Sequence, residues 1–415
     1  MPTQLDLFSA VQDIYLENGG ELRQHELYKH LASKTGINPS EHIGHVGETQ
    51  SKHNLFHRKV RWVQQSLKSK RLLEQVDRGT WRLAGSAAQR LHVIETGKSV
   101  IAASTNLGIV ICSDSQSVFD NKLVTEPINL VVTSPPYMLQ KPRLYGGTFD
   151  EESWVDFICE VISKIQPRLA EGANICLNIG QDAFNSNEPS RLTHIELLTT
   201  RLVYELKLKL VDRLIWQSNK APAPYQYCSK HHFMLHTGYE FCLVFCNSPW
   251  HSHADNRRVR QPHSDAHTRY VQRGGASRKS VSGDGAYRKR VGAYSNTDLS
   301  KGRIPNNILQ FSNKCVQNEM VNRYARSLQI PTHGAKFPIS LAKYLVQYLS
   351  RPGDFCYDPF GGTATFGQAC QILGRPFMIT EPVFEYVRQS FVRFENLGDD
   401  VYYNPYFLKP HLLAA

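Results

Sequence analysis

The sequence predicts an α/β protein: a doubly wound sheet with a small helical unit in front of it and a basic insertion inside it. Three observations carry that expectation. From about residue 100 onward, short apolar runs alternate with amphipathic stretches, and such alternation builds a mostly parallel sheet wrapped by helices on both faces. Two of the apolar runs end abruptly in turn-forming residues, Pro135-Pro136 and Gly361-Gly362, at the strand ends where open α/β sheets form their ligand crevice. At 415 residues the chain also exceeds one ordinary domain and is long enough to bury a sizeable core.

Strands are expected at 109–112, 130–132, 174–179, 241–245, 354–357 and 377–379, all short runs rich in apolar residues. Helices are expected between them at 153–169, 194–205 and 341–349. This domain divides into a first half over 100–248, an insertion over 249–304 and a second half over 305–400.

Residues 1–85 form a separate unit by pattern, with helices over 5–16 and 22–33 and Asn18-Gly19-Gly20 as the stop between them. Between Thr49 and Leu73 lie seven basic side chains, Lys52, Arg58, Lys59, Arg61, Lys68, Lys70 and Arg71, and no acidic one. Phe56, Val60, Val63 and Leu67 supply an apolar stripe at helical spacing over the same stretch. Residues 72–83 read as a hairpin turning at Asp77-Arg78-Gly79. Three helices closed by a hairpin is the order of a winged helix, whose third helix enters the major groove. A helical adaptor with a solvated cationic face has the same pattern. A Gly-Ser-Ala-Ala linker at residue 85 ends the unit.

Lys and Arg outnumber Asp and Glu by 48 to 37, a net charge of +11. That balance favours a polyanionic partner, although a ribosome-associated or membrane-surface protein carries a similar one. Residues 251–303 hold twelve Lys or Arg against four Asp and almost no apolar periodicity. Composition alone reads as a disordered basic loop, while Tyr270, Tyr287 and Tyr294 leave room for stacking on bases. The run Arg288-Lys289-Arg290 reads as a phosphate-facing or solvated patch. Nine scattered Cys are expected to be reduced core thiols. His231, His232, His236, His251 and His253 lack metal spacing, so no metal site is expected. With no signal-like segment and no membrane-length apolar run, the expected location is the cytoplasm.

The chemistry concentrates in two segments. Val131-Val132-Thr133-Ser134-Pro135-Pro136-Tyr137 runs a strand into two prolines, which cannot continue a ladder and leave carbonyl acceptors exposed. An exocyclic base amine is a poor nucleophile because its lone pair is delocalised into the ring. Two acceptors aimed at its hydrogens, the Ser134 hydroxyl and the Pro135 carbonyl, would favour the localised form. Tyr137 would stack on a base extruded from the duplex. Taken as an isolated pentapeptide, Thr133 to Tyr137 reads more readily as a Pro-Pro strand exit with a packing Tyr. The second segment is Asp358-Pro359-Phe360-Gly361-Gly362-Thr363-Ala364-Thr365, a strand passing through a glycine turn into a helix. The next strand ends in Glu381, placed to accept two ribose hydroxyls.

These two segments resemble the catalytic and cofactor motifs of the amino-methylating DNA methyltransferases, in the permuted order with the catalytic motif first. The resemblance covers roughly residues 105–395 and implies a Rossmann-like methyltransferase sheet with a target-recognition insertion. Cys112-Ser113-Asp114-Ser115 is similar to the acidic strand end that faces the cofactor adenine. Gly172 to Gly180 resembles the strand that follows the catalytic motif. His333 with Lys336-Phe337-Pro338 is similar to the segment closing over the methionine end. The resemblance thus implies Ser134, Pro135, Pro136 and Tyr137 as catalytic. Asp114, Thr133, His333, Phe337, Pro338, Asp358, Pro359, Phe360, Gly361, Gly362, Thr363 and Glu381 would hold S-adenosyl-L-methionine.

Two departures stand out. Ala364 occupies a position where most members have Gly, and ordinary helical angles are expected for it at the helix start. Ser134 stands where other members have Asp or Asn; in this family Ser-Pro-Pro-Tyr goes mainly with cytosine N4. The expected activity is therefore methylation of cytosine N4 in double-stranded DNA. Adenine N6 methylation and a non-catalytic winged-helix regulator that senses S-adenosylmethionine are the alternatives. The resemblance also admits a cognate restriction endonuclease as partner, while recognition sequence and oligomeric state are not legible.

Overall fold

A computed structural model gives the fold. It describes residues 7–408, except 46–51, 70–72, 84–90, 139–149, 186–187, 220–223, 225 and scattered positions before 21 and within 282–295. The main sheet runs β1 (Ser99–Thr105), β2 (Gly108–Ser113), β3 (Ile128–Thr133), β4 (Leu169–Ile179), β5 (Lys209–Gln217), β6 (Tyr239–Cys246), β7 (Ile308–Gln310), β8 (Cys356–Asp358), β9 (Phe377–Glu381) and β10 (Val401–Tyr403). Their spatial order is β7-β5-β6-β4-β3-β8-β9-β2-β1-β10. The central five, β4-β3-β8-β9-β2, are parallel throughout. Antiparallel pairs extend both sides, β6 and β5 beyond β4 and β1 and β10 beyond β2. All six expected strands are present, and β1, β5, β7 and β10 were not expected.

Alternate side chains of the central strands feed two separate cores, because a strand's successive residues face opposite ways. Leu130, Val132, Phe377 and Ile379 belong to one; Val131 and Met378 belong to the other. The second core is closed by the helix Glu151–Ile165. Asp150 caps it by accepting from Ser153 N, and it buries Trp154, Val155, Ile158, Ile162 and Ile165. The helix His194–Tyr204 packs beside it. On the opposite face lie the helices Ile339–Leu349, Thr365–Leu373 and Phe384–Ser390. Each fully buried aliphatic side chain in these layers stabilises by roughly 1.5–3 kcal/mol.

Connectivity creates the crevice. From β3 the chain crosses to β4 on one side by the helix Glu151–Ile165, and from β8 it crosses to β9 on the other side by the helix Thr365–Leu373, over the opposite face. The two chains therefore diverge where β3 and β8 lie side by side, and a cleft opens beyond their carboxyl ends.

In the N-terminal unit, Leu7, Ala10, Val11, Ile14 and Tyr15 are helical and buried, while the expected stop at Gly19-Gly20 lies outside the described residues. The helix Gln24–Thr35 follows, and the helix Leu55–Ser69 buries Phe56, Val60, Val63 and Leu67 against it and the hairpin. Lys52, Arg58, Lys59, Arg61 and Lys68 are exposed; Lys70, Arg71 and the Gly-Ser-Ala-Ala linker lie outside the described residues. The hairpin is Leu73–Asp77 with Thr80–Leu83, turning through Gly79 at φ +79°. Glu21–Arg23 adds an unexpected third strand to it, and a further unexpected ribbon pairs Ile43–His45 with Lys52–Asn54.

The 251–303 segment holds regular structure despite its composition. Its helix Asp265–Gln272 is capped by the Ser264 side chain, which accepts from His267 N. Tyr270 and Tyr294 meet edge-to-face at 5.5 Å, whereas Tyr287 and Arg290 lie outside the described residues. The segment leaves β6 at Cys246, beside Asn174 near the amino end of β4. It returns through β7 to Asn313, whose backbone N donates to Asn219 Oδ1 just past the end of β5. All nine cysteines are free thiols, and eight of them are buried. No described helix is long and apolar enough to cross a membrane.

Candidate active site

Four neighbouring strand ends build the site. β3 stops at the prolines, and its last hydroxyl, Thr133 Oγ1, donates to Asp358 Oδ1 at the end of β8 over 2.6 Å. The double-proline turn and the glycine turn, joined by a hydrogen bond across 225 residues of sequence, are thus side by side. β9 ends in Glu381, whose carboxylate accepts from Gly362 N at 2.8 Å and Val383 N at 3.1 Å. β2 ends beside Asp114.

Beyond these ends lies a cavity of about 550 Å³, within the range of small-molecule sites. Every expected site residue lines it except Thr133 and Pro338. Thr133 is buried and holds Asp358 from behind. Pro338 is buried too and starts the helix Ile339–Leu349. The 333–337 segment forms one wall. The His333 ring packs edge-on against Tyr386 at 4.4 Å, and Lys336 Nζ donates to Asn322 Oδ1 at 2.8 Å and to the His333 carbonyl. Burial, with the Arg393 cation nearby, brings Lys336 down to about 8.

A second cavity, about 750 Å³, adjoins the first and shares Ser134, Tyr137 and much of the 333–337 wall with it. Its other sides are polar, with Asn178, Asp182, Glu240, Asn313 and Asn318 around Trp216. The shared turn is held rigidly, since Trp154 Nε1 donates to the Pro136 carbonyl at 2.6 Å. The Tyr137 ring lies so close to Gly180 that a Cβ there would sit 3.0 Å from it.

Residues 128–392, well over half the chain, match the family model of the DNA methylases. The chain belongs to the DNA methylase family. Residues 5–92 of this methylase match the Mrr N-terminal domain. The type II methyltransferase M.PvuII of Proteus hauseri is 25% identical to it over 301 residues, which are 71% of this chain and 85% of that protein. The solved structure of the PvuII DNA methyltransferase (cytosine-N4-specific) matches with a TM-score of 0.55 at 21% identity, over 75% of this chain and 94% of that one. The methylase thus shares that enzyme's fold. Its methyl donor is S-adenosylmethionine, as the resemblance implied.

Two expectations about single residues change. Ala364 does not take ordinary helical angles: it caps the helix Thr365–Leu373 at φ 56°, ψ 38°, a left-handed conformation that favours glycine. Its burial in the core beside Phe366 and Ala369 holds it there. Asp114 lines the cavity, but its carboxylate is engaged with its own turn, accepting from Gln116 N, Ser117 N and Ser117 Oγ. What the turn presents to the cavity is therefore set by Asp114 rather than being its carboxylate alone.

Sequence reasoning missed the walls of the second cavity. Asn178 stands within an expected strand but carried no role, and Glu240 and Asp182 went unremarked. A signal existed for Glu240, the one charged residue in Tyr239–Cys246.

Burial raises Asp358 to about 7 against hydrogen bonds from Thr133 and Phe360 N. It raises Glu381 to about 8 against those from Val383 and Gly362, with the Asp358 charge adding to the rise. A carboxyl that is easier to protonate in the fold than in the unfolded chain stabilises fully below its unfolded value of about 4. That contribution is lost as pH climbs through the folded values. The thermal midpoint of the cofactor-free methylase is accordingly expected to fall between about pH 5 and 8, and Glu381→Gln should flatten the decline. An unchanged slope in that variant would place the loss elsewhere.

Proposed function

We propose that this methylase is a site-specific cytosine-N4 enzyme acting on double-stranded DNA, with the first cavity for S-adenosylmethionine and the second for an extruded base. The observation that carries the reading is the meeting of both cavities at Ser134 and Tyr137. The donor bound there supplies an electrophilic methyl group. Glu381 is placed for the ribose hydroxyls, the turn at Asp114 and the apolar side chains Phe157, Phe360 and Val383 for the adenine, and Lys336 for the methionine carboxylate. Ser134 Oγ and the Pro135 carbonyl orient the amine, and Tyr137 stacks on the base. Ser-Pro-Pro-Tyr and the likeness to a protein named cytosine-N4-specific favour cytosine over adenine.

The N-terminal unit acts as a winged helix, its exposed cationic face meeting phosphates, and the 249–304 insertion contributes target recognition. Incubating the full chain with S-adenosylmethionine and unmethylated genomic DNA, then digesting to nucleosides for mass spectrometry, is expected to yield N4-methyldeoxycytidine. Appearance of N6-methyldeoxyadenosine instead would replace cytosine by adenine. No methylated nucleoside at all would remove the catalytic reading.

A further inference from the structure

The second cavity contains a carboxylate for which neither cofactor seating nor amine orientation has a use. Glu240, near the start of β6, is buried, and its Oε2 accepts the Tyr137 hydroxyl at 2.8 Å and Asn178 Nδ2 at 3.3 Å. The Tyr137 hydroxyl has one proton and two acceptors in reach, Glu240 Oε2 at 2.8 Å and Asn178 Oδ1 at 3.2 Å. Given to the nearer carboxylate, that proton leaves the Tyr137 oxygen to accept from Ser134 Oγ at 3.2 Å, the alternative acceptor for Ser134 being the Asn178 backbone carbonyl at 3.3 Å. Ser134, with its own proton so directed, presents oxygen lone pairs to whatever enters beside it. The close approach of Gly180 to the Tyr137 ring fixes this alignment, since a side chain there would push the ring away. The three groups form a directed chain, Ser134 to Tyr137 to Glu240, running from the junction of the two cavities to a buried carboxylate.

We propose that Glu240 receives, through Tyr137 and Ser134, the proton that the target amine sheds as it is methylated. The proposal rests on the amine-methylation reading above. The balance is simple. The amine lone pair forms the new N–C bond as the C–S bond of the donor breaks and its electron pair stays on sulfur. One N–H proton passes to Ser134 Oγ, the Ser134 proton to the Tyr137 oxygen, and the Tyr137 proton to Glu240 Oε2. Glu240 ends neutral, and Ser134 and Tyr137 keep their protonation.

The surroundings explain why Glu240 is the terminus. Burial, reinforced by the Glu240 charge, holds the Tyr137 phenol far above its ordinary range, so Tyr137 passes a proton without resting as a phenolate. The neighbouring Cys242 thiol is likewise held protonated, by its bond with Cys176 and by burial. Asp182, the other carboxylate of the cavity, is already engaged by Thr237 Oγ1 at 2.5 Å and by Arg191 at 3.3 Å.

Glu240→Gln tests the idea, because glutamine keeps the acceptor for Tyr137 but cannot take its proton. Single-turnover transfer from tritiated S-adenosylmethionine to unmethylated genomic duplex is expected to slow about 100-fold. Affinity for S-adenosylmethionine by calorimetry and for duplex DNA by anisotropy should stay within about twofold, values that a collapsed cavity would not preserve. Tyr137→Phe should cost a similar factor, and the double variant no more than the worse single one, since both break one relay. Should Glu240→Gln melt early, Glu240→Asp, which keeps a proton acceptor, is expected to exceed it in rate at equal occupancy of donor and DNA. Transfer by Glu240→Gln within threefold of wild type, an Asp variant no faster than the Gln variant, or losses that multiply in the double variant would overturn the relay. A wild type that labels no base would instead overturn the functional reading on which it rests.

Discussion

Raising salt from about 50 to about 200 mM is expected to weaken binding of duplex DNA to the full chain by roughly 10³-fold or more, as for proteins that make six to ten phosphate contacts. The net charge of +11 is not spread evenly. Lys52, Arg58, Lys59, Arg61 and Lys68 are exposed on or beside one helix whose other face is buried, and twelve further cations sit in the 251–303 segment. Each phosphate neutralised releases counterions, giving a slope of log affinity against log salt near −0.9 per contact. Anisotropy titrations of a labelled duplex at several salt concentrations measure that slope. Replacing Arg58, Lys59 and Arg61 together by alanine should reduce its magnitude by about 3 if all three meet phosphates. An affinity that falls less than tenfold over this range would separate both basic regions from DNA.

The parts of the methylase that were legible in its sequence are those whose meaning is local. The central parts of β3, β4, β8 and β9 are buried on both faces and read as short apolar runs, at 130–132, 175–177, 356–357 and 377–379. β5 is half exposed, and Lys209, Asp212, Arg213 and Gln217 interrupt its pattern. β1, β7 and β10 are likewise flanking strands with partly solvated residues or only three residues in length. The cofactor cavity was legible because each wall is a contiguous motif at a strand end. The second cavity was not, because Asn178, Asp182 and Glu240 meet only when the antiparallel pair of β6 and β4 is formed, with Asn178 opposite Cys242. Nor does a sequence show that Ala364 takes a left-handed backbone: the surrounding core imposes that conformation.

Gly361→Ala is expected to weaken S-adenosylmethionine binding by about 100-fold, the scale of loss that follows a misplacement of roughly 1 Å. Gly361 needs no special backbone angle; what it needs is space. Its N–H donates to the Thr380 carbonyl at 2.8 Å, so the turn is stitched onto β9. A Cβ there would overlap Ile379 Cγ2 and stand 3.2 Å from Thr380 O. Ile379 is fully buried in the core and Thr380 O belongs to a strand, so neither can retreat cheaply. The turn must lift instead, pulling Gly362 N away from Glu381 and costing about 1–3 kcal/mol of stability. Gly374→Ala provides the control. At φ +70° it is strained, yet nothing lies within 4 Å of the added carbon, so it should cost about 1–2 kcal/mol without changing donor affinity. Calorimetry and thermal melts on both variants, with Ile379→Ala added to Gly361→Ala to clear the overlap, separate crowding from general instability. If Gly361→Ala binds the donor within threefold of wild type, the close seating of the turn on β9 has no part in holding the cofactor.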